Sequence, residues 1–507
     1  MQARRRGKRF TTALAAVAVT AATSLVALAA PTVASGAETG TTSTYIVLYN
    51  QGASSSGAKA TIESAGGTLV ANYNQIGVVI ARSNRADFAK TVKANPKVEG
   101  VGSTAGLGTR AAGDVADASA DTTATAGAEA AATWGDSLSG LQWDMTQINV
   151  PEAHAINPGS ASVVVGDVDT GLDFTHPDIA PNYDAANSVD CSSGSPAALV
   201  AGNDANGHGT HTAGTIAAAA NGTGVVGVAP GVRIAGIKSS NDDGFFFPEM
   251  VICSYMWVAS HPIDVTNNSY FADPWLFNCK NDPGQRAIWK AERRAIALAQ
   301  SHGTTVVASQ GNDSTDLSHP TMDVISPDDS TPVDREITNA CSVVPVEVPG
   351  VVGVSATGNL GYKSFYSSYG VSTADVTAPG GDSRQLTAAA PNGRVLSTYP
   401  STSGGCLPSR TVFDPVTGAK YCYLQGTSMA GPHAAGVAAL ALSAHRATAG
   451  SLAAAVQRAT NPLACPTDMS PYASSPQNSG EPQACQGGVG HNSFYGAGEV
   501  DALKAVQ

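Results

Sequence analysis

Short apolar runs alternate with stretches of helical pattern from Leu138 to the end of the chain, and this alternation limits the fold more than any other feature. The runs predicted as strands cover residues 162–169, 232–237, 263–267, 304–309, 351–356 and 375–378, and the clearest predicted helices cover residues 286–301 and 429–444. Strands separated by helices pair in parallel, because a crossover helix returns the chain to the same end of the sheet. We therefore predict an α/β domain over residues 138–507, with a mostly parallel sheet between two layers of helices.

The first 37 residues have the three parts of a secretory signal peptide. A basic cluster at residues 4–9 precedes a run rich in Ala, Val and Leu, and small residues continue to Ala37. We assign residues 1–37 to a signal peptide that is removed from the mature protein. A membrane anchor is the alternative, and it is disfavoured because many residues of the run are Ala or Thr. No later apolar run is long enough to span a bilayer.

Two further segments precede the main domain. Residues 44–108 follow the order strand, helix, strand, strand, helix, strand, which predicts a small α+β unit of ferredoxin-like type. Residues 109–137 contain mostly Ala, Thr, Asp and Gly, a composition typical of a flexible linker. The small unit is therefore tethered ahead of the main domain.

The cysteines indicate an oxidising compartment. All 8 lie in the last two thirds of the chain, and none forms a Cys-x-x-Cys pair, so disulfides are favoured over a zinc site. The number of conceivable pairings prevents a full derivation of connectivity. Proximity along the chain favours Cys406 with Cys422 and Cys465 with Cys485.

The negative net charge of the chain argues against nucleic acid as a partner. With 28 basic and 40 acidic residues, the net charge is -12. An acidic surface repels phosphate backbones, so we do not expect the protein to bind nucleic acid.

Three glycine-containing segments carry chemically active side chains. Residues 163–171 form a buried strand that ends in Asp169 and a glycine turn. Residues 207–214 place His208 at the start of an Ala-rich helix, and residues 426–433 place Ser428 at the start of another. In parallel α/β sheets, the carboxyl ends of strands and the amino ends of helices gather at one edge. We therefore expect the three segments to converge there.

These side chains match the requirements of nucleophilic catalysis. A serine hydroxyl needs a base within hydrogen-bond reach, and an imidazole base needs a buried carboxylate that fixes its tautomer. Ser428, His208 and Asp169 fit those roles. The attacked carbonyl oxygen also needs fixed donors, and the side-chain amide of Asn312, just after a predicted strand, can supply one beside the backbone N–H of Ser428.

In these motifs, and in their order of Asp, His and Ser along the chain, the protein resembles the subtilases, the subtilisin-type serine peptidases. The resemblance extends from about Leu141 to Asp501. It implies a subtilisin-like three-layer domain and a secreted, extracellular serine endopeptidase that forms an acyl-enzyme intermediate with protein or peptide substrates. Residues 44–108 resemble the inhibitory propeptide of the family, which implies a self-inhibited precursor. We expect a monomer.

The resemblance also implies a structural calcium site in the loop after the His208 helix. Its ligands would be the side chains of Asp178 and Asn221 and the carbonyl groups of Ala219, Thr223 and Val225, a hard oxygen set that suits calcium. The amino-terminal Gln ligand of the family aligns with Ser139. The site is therefore either incomplete or uses Gln142.

Substrate binding departs from the family pattern. Subtilases usually carry Ser-Leu-Gly-Gly on the strand that borders the primary specificity pocket, whereas this chain has Ser269, Tyr270, Phe271 and Ala272. The resemblance assigns substrate binding to Ser269, Tyr270, Phe271 and Gly311. We expect the bulky side chains to narrow or reshape the pocket. We also expect the loop between the two cysteines nearest the Ser428 motif to overhang the leaving-group side of the cleft.

Four other functions compete with a serine endopeptidase. A catalytically impaired subtilase scaffold that binds peptides would lack a triad residue or Asn312, and none is lacking. A peptide ligase of subtilase type stays open. A zinc hydrolase using His208 and His211 is disfavoured because no Glu follows His208, and a lipase-like hydrolase would need the opposite order of the triad. We interpret His211 and His433 as structural residues, because neither occupies the general-base position.

Overall fold

The computed structural model describes residues 38–104, 135–272, 275–327 and 331–507. The predicted signal peptide and most of the predicted linker lie outside the described residues. Residues 135–137, assigned above to the linker, contact the main domain: Asp136 accepts hydrogen bonds from the backbone N–H groups of Asn221 and Gly222, both at 2.8 Å. The described chain comprises a small N-terminal unit and a larger domain.

The N-terminal unit is a four-stranded antiparallel sheet with two helices, as its sequence pattern predicts. Its strand order is β2-β3-β1-β4. The elements are β1 (Glu38–Tyr49), α1 (Ala58–Ser64), β2 (Thr68–Tyr73), β3 (Val78–Arg85), α2 (Phe88–Lys93) and β4 (Val98–Ser103).

Alternation along β1 gives this small sheet two apolar faces. Val47 and Tyr49 pack against the helices of the unit, in a core that includes Phe88. Ile46 and Leu48 point to the opposite face and join the core of the larger domain. Successive side chains of a strand point to opposite sides, so the unit buries its second face only by docking.

A nine-stranded sheet of order β19-β22-β15-β14-β10-β8-β5-β7-β6 forms the centre of the larger domain. All its neighbouring strands pair in parallel except β19 and β22. Its strands are β5 (Val164–Asp169), β6 (Val189–Asp190), β7 (Arg233–Lys238), β8 (Val265–Asn268), β10 (Thr305–Ser309), β14 (Val352–Thr357), β15 (Val376–Pro379), β19 (Thr460–Asn461) and β22 (Glu499–Val500). The six predicted strands form its centre, which confirms the predicted fold class.

Helices cover both faces of this sheet. They are α3 (Trp143–Gln147), α4 (Val150–His154), α5 (His208–Ala217), α6 (Pro248–Val258), α7 (Pro283–Ser301), α8 (Thr427–Ser443), α9 (Leu452–Arg458) and α10 (Ala502–Val506). Val164 and Val168 of β5 pack on the α6 and α7 side, whereas Val165 packs on the α5 and α8 side. Within the described ranges, no helix has the length and apolarity needed to cross a membrane.

Short strands complete the domain in the loops. They are β9 (Asn278–Cys279), β11 (Met322–Asp323), β12 (Arg335–Glu336), β13 (Cys341–Ser342), β16 (Val395–Thr398), β17 (Thr411–Phe413), β18 (Lys420–Leu424), β20 (Gly487–Gly488) and β21 (His491–Asn492). β16, β18 and β17 form an antiparallel sheet just ahead of α8.

The eight cysteines form four disulfides, and all of them lie in the described residues. Cys406–Cys422 and Cys465–Cys485 are the two pairs that proximity favoured. Cys191–Cys253 and Cys279–Cys341 are the other two. Each of these two joins residues 62 positions apart, which is why chain distance gave no indication of them.

The N-terminal unit docks on α7. Arg294 donates to the carbonyl groups of Tyr49 at 2.9 Å and Ile76 at 3.1 Å, and pairs with Glu99 at 2.9 Å. Lys290 pairs with the same Glu99 carboxylate. Since Glu99 lies on β4, charge pairing holds this strand against the helix, while apolar side chains of β1 and β3 pack in the shared core.

Gly102 of β4 allows the backbone of this strand to approach α7 closely. A Cβ atom there would lie 2.7 Å from the Gly284 carbonyl oxygen and 2.8 Å from Ile288 Cγ1. We expect Gly102→Val, introduced with Ser428→Ala to prevent self-cleavage, to weaken docking by about 1–3 kcal/mol because of this overlap. Hydrogen exchange of the α7 amides should accelerate by roughly tenfold or more.

Gly57→Ala is the matched control for this change. No atom lies within 4 Å of a Cβ at Gly57, and its φ of -87° suits alanine. Unchanged protection of α7 in Gly102→Val would contradict the docking geometry.

Candidate active site

A buried carboxylate and imidazole form the centre of the site. Asp169 ends β5 and His208 begins α5, and His208 Nδ1 lies 2.7 Å from Asp169 Oδ1. The backbone N–H of Thr170 donates to the same oxygen at 2.7 Å. Because an ionised carboxylate only accepts, the imidazole proton resides on Nδ1. His208 Nε2 is thereby left able to accept a proton.

The charges around His208 favour its protonated form. Burial acts in the opposite direction, but the carboxylate of Asp169, with a smaller contribution from Asp204, raises the pKa of His208 above its ordinary value. A proton taken up at Nε2 is therefore stabilised in an interior position. This property suits a general base.

Ser428 lies in the first turn of α8, which packs against α5. Its hydroxyl donates to the backbone carbonyl of Ser269 at 3.1 Å. His208 Nε2 is buried and has no hydrogen-bond partner among the described residues. The structure thus places Asp169 in contact with His208, while the Ser428 hydroxyl is bonded to the Ser269 carbonyl and not to His208 Nε2.

Asn312 presents an amide donor beside Ser428. Its Oδ1 accepts from the backbone N–H and the hydroxyl of Thr427, both at 2.9 Å. A backbone N–H can only donate, so this contact fixes the amide orientation and turns Nδ2 the other way. A Cβ atom on Gly426 would lie 3.5 Å from Asn312 Nδ2 and 3.6 Å from Ser428 N. The missing side chain leaves a space bordered by two N–H donors.

Tyr270, predicted to narrow a substrate pocket, points into the protein core. Its ring stacks on Phe246 with centroids 4.3 Å apart, and its hydroxyl donates to Asn268 Oδ1 at 3.3 Å. Phe271 is half-buried against the same core. Tyr270 lies two residues beyond the end of β8 and packs in the interior, and its expected effect on the substrate pocket stays a prediction.

Ser269 and Gly311 lie beside the nucleophile. Ser269 Oγ donates to the carbonyl of Ser428 at 2.9 Å, and the backbone N–H of Gly311 donates to Thr427 Oγ1 at 3.1 Å. Gly311 has a φ of +98°, a conformation that favours glycine. Both contacts connect the predicted substrate-binding residues to the start of α8.

His211 and His433, interpreted above as structural residues, form hydrogen bonds to distant parts of the fold. His211 donates from Nε2 to the Cys422 carbonyl at 3.0 Å, and burial lowers the pKa of His211 to about 3. His433 is buried between Asp144 at 3.0 Å and the carbonyl of Met429 at 2.7 Å. Both side chains connect parts of the fold and leave the base position to His208.

Asp204, which was not among the predicted site residues, organises the start of α5. One of its oxygens accepts from the Thr170 hydroxyl and from the Gly207 N–H, both at 2.8 Å. The other accepts from Thr210, at 2.9 Å from its N–H and 2.6 Å from its hydroxyl. An Asp in the turn ahead of a predicted helix is a capping signal that could have identified it.

Asp178, the predicted calcium carboxylate, is already surrounded by hydrogen-bond donors. Its Oδ2 accepts from the Tyr421 hydroxyl at 2.8 Å and the Val225 N–H at 3.1 Å, and its Oδ1 accepts from Asn221 Nδ2 at 3.2 Å. The backbone N–H of Ala219 donates to the Asp178 carbonyl at 2.8 Å. A calcium ion would need the carboxylate oxygens that these donors occupy.

The side chains of Asn221 and Gln142 are also engaged. Asn221 Oδ1 accepts from the N–H of Thr223 at 3.0 Å and from its hydroxyl at 2.8 Å, which turns the Asn221 amide nitrogen toward Asp178. Gln142 exchanges two hydrogen bonds of 2.9 Å with the backbone of Val226. As placed, these side chains do not fit a calcium ion, because protein donors fill the positions that the cation would take.

Residues just ahead of the Cys406–Cys422 disulfide lie against the start of α5. The hydroxyl groups of Tyr399 and Ser403 donate to the Asn206 carbonyl, at 2.8 and 3.0 Å. The disulfide packs with the buried side chain of Met429. These residues and the disulfide therefore contact both helices that carry the site. The position of the loop between the two cysteines over the leaving-group side stays a prediction.

Comparison with known sequences identifies the protein family. The profile described as Subtilase family matches residues 160–497. Fervidolysin from Fervidobacterium pennivorans is 30% identical over 327 residues, which are 61% of this chain and 38% of fervidolysin. Subtilisin DY from Bacillus licheniformis is 30% identical over 287 residues, which are 56% of this chain and 77% of that protein.

Solved structures show the same fold. The crystal structure of fervidolysin, described as a keratinolytic enzyme related to subtilisin, matches with a TM-score of 0.63 and 24% identity over 92% of this chain and 61% of that chain. The epidermin leader peptide processing serine protease from Staphylococcus aureus matches with a TM-score of 0.64 and 19% identity over 92% of this chain and 98% of that chain.

The space at Gly426 can be tested by filling it. Gly426 has an extended backbone, so alanine is tolerated there, but its methyl group would occupy the space between the Asn312 and Ser428 donors. We expect Gly426→Ala to lower kcat for peptide hydrolysis by roughly 10²- to 10³-fold, as the loss of one such donor does. Gly404→Ala, where no atom lies within 4 Å of the added Cβ, is the control. Undiminished kcat in Gly426→Ala would count against this oxyanion site.

The calcium question can be tested by chelation. We expect EDTA to leave the unfolding temperature unchanged, because Tyr421 and backbone donors already satisfy Asp178. Tyr421→Phe should destabilise the protein by about 1–3 kcal/mol, because it removes a donor to a buried carboxylate. A contrary result would be that EDTA destabilises wild type and that added calcium restores its stability. If calcium does not restore the stability of Asp178→Asn, the site binds the ion.

Proposed function

The chain belongs to the subtilase family of serine proteases, and from this premise we propose that it is a secreted endopeptidase that uses Asp169, His208 and Ser428 and is made as a self-inhibited precursor. The observation that carries the proposal is the buried 2.7 Å contact between His208 Nδ1 and Asp169 Oδ1. This contact leaves Nε2 without a partner among the described residues, on a helix packed against the one that carries Ser428.

Acylation begins when a peptide substrate enters and the Ser428 hydroxyl leaves the Ser269 carbonyl. Its proton passes to His208 Nε2 as Oγ bonds to the scissile carbonyl carbon. The imidazolium that forms is stabilised by the buried Asp169 carboxylate, whose influence raises the pKa of His208 against the opposing effect of burial.

The negative charge that develops on the attacked carbonyl oxygen needs donors fixed before the reaction. Asn312 Nδ2 and the backbone N–H of Ser428 border the space left by Gly426, and Thr427 holds the Asn312 amide in orientation. These donors stabilise the tetrahedral intermediate more than the ground state, which lowers the barrier.

The intermediate collapses when His208 gives its proton to the leaving amine. The C–N bond breaks, the amine product departs, and Ser428 remains as an ester of the acyl group. Water then attacks the ester with His208 again taking the proton. Breaking the Oγ–C bond releases the carboxylate product and restores the serine.

The N-terminal unit is proposed to act as the inhibitor in the precursor. It shares a hydrophobic core with α6 and α7, and its Glu99 pairs with Lys290 and Arg294. Burial raises the pKa of Glu99, but the two cations lower it more, so the net pKa lies below the ordinary value. The ion pairs thus support docking at neutral pH and lose strength as the pH falls through the range in which Glu99 takes up a proton.

Secretion accounts for the oxidised cysteines. Four disulfides in one domain are typical of proteins that fold outside the cytosol. A signal peptide at residues 1–37 would deliver the chain there. The substrates would be proteins or peptides, and the enzyme would act as a monomer.

Ser428→Ala tests the assignment with a casein-like unfolded protein as substrate. We expect wild type to produce fragments and to cut its own precursor, while Ser428→Ala loses roughly 10⁴-fold or more of the activity. Ser443→Ala is the matched control, since it removes the other serine of α8, whose hydroxyl donates to the Ala439 carbonyl.

Mass spectrometry of the fragments measures both cleavage and self-processing. Equal fragmentation by wild type and Ser428→Ala would exclude this serine as the nucleophile.

A further inference from the structure

Asp167 is a buried carboxyl group that the mechanism above does not use. It lies two residues before Asp169 on β5, so both side chains point to the α5 and α8 side of the sheet. Its exposed fraction is 2%. A carboxyl group is costly to bury in this way unless it has partners or is neutral.

Asp167 contacts two elements of the site. Its Oδ2 lies 2.7 Å from the hydroxyl of Thr212, which is one turn beyond His208 on α5. Its Oδ1 accepts from Asn267 Nδ2 on β8 at 2.9 Å. One side chain thus connects the strand that ends in Asp169 to the helix that begins with His208.

The second contact leads on to the nucleophile. Asn267 Nδ2 also lies 3.1 Å from Ser269 Oγ, which donates to the carbonyl of Ser428 at 2.9 Å. A continuous set of buried polar contacts therefore runs from α5, through Asp167 and β8, to the start of α8. These contacts join β5, which ends in Asp169, and α5, which begins with His208, to the start of α8, which carries Ser428.

The surroundings of Thr212 indicate which form Asp167 takes. The Thr212 hydroxyl lies 3.0 Å from the carbonyl of Gly209, which can only accept. Because the hydroxyl has a single proton, this contact and the 2.7 Å contact with Asp167 are both hydrogen bonds only when the Asp167 carboxyl group donates to Thr212.

Burial and the neighbouring charge act in the same direction. Burial, followed by the negative charge of Asp169, raises the pKa of Asp167 well above its ordinary value. A second ionised carboxylate beside Asp169 would also stabilise the imidazolium of His208 in the resting enzyme and so reduce the fraction of free base.

We propose that Asp167 is a neutral carboxylic acid that acts as a positioning residue for the protease reaction, donating to Thr212 and accepting from Asn267 so that β5, α5 and β8 keep a fixed arrangement. This inference rests on the proposed function. It assigns Asp167 no contact with the substrate. Its effect is exerted through the placement of Asp169, His208 and Ser428.

Asp167→Asn is the decisive variant because an amide reproduces a neutral acid. Its C=O can accept from Asn267 and its NH₂ can donate to Thr212. Unlike an ionised carboxylate, the amide cannot accept hydrogen bonds from both residues at once. We expect Asp167→Asn to keep kcat/KM within about threefold of wild type, with the acid limb of its pH profile unmoved. Asp167→Ala removes both hydrogen bonds and should lower kcat by roughly 10- to 100-fold with little change in KM, as misplaced catalytic groups do.

Rates are normalised to the fraction of chains that a fluorophosphonate labels, so unfolded protein does not count. An acid limb of Asp167→Asn shifted to lower pH by more than about half a unit would show that Asp167 is ionised and would overturn the proposal. So would a loss of kcat in Asp167→Asn as large as that in Asp167→Ala, or an unchanged kcat in Asp167→Ala. The asparagine variant decides the matter even if the alanine variant does not fold.

Wild type and Ser428→Ala are run in the same assay. Wild-type cleavage that does not depend on Ser428 overturns the protease assignment and this inference together. Ser428-dependent cleavage combined with any of the contrary Asp167 results overturns the positioning role alone.

Discussion

The ionised form of Asp169, buried at the end of β5, is the constraint on which the site depends. One oxygen receives donors from His208 and Thr170, and the other has no partner among the described residues. The imidazole is therefore the main group that offsets the buried charge, and the charge in turn fixes the imidazole proton on Nδ1. Asp204, which caps the start of α5, and the packing of α5 on α8 maintain this pair.

Much of the fold and of the site could be predicted because both follow from local pattern. The six central strands are short, mostly apolar runs, and the alternation of side chains along β5 places Asp169 on the side of the sheet that α5 and α8 cover. His208 and Ser428 begin helices whose glycine-rich starts are visible in the sequence. A parallel sheet brings such ends together without further information.

What could not be predicted depends on contacts between distant parts of the chain. Tyr421 reaches Asp178 from 243 positions away and donates its hydroxyl to the carboxylate that was predicted to bind a cation. Tyr270, two residues beyond the end of β8, packs in the core against Phe246 from another segment. The docking of the N-terminal unit on α7 likewise requires the shape of both partners, since Gly102 is informative only once Gly284 is seen beside it.

Covalent labelling tests the central claim most directly. The full chain is incubated with a fluorophosphonate, which traps an activated serine, and the adduct is located by peptide mapping. The account predicts a single adduct on Ser428, with labelling largely lost in His208→Ala because the hydroxyl then has no base. An adduct on a different residue, or equal labelling rates in wild type and His208→Ala, would contradict it.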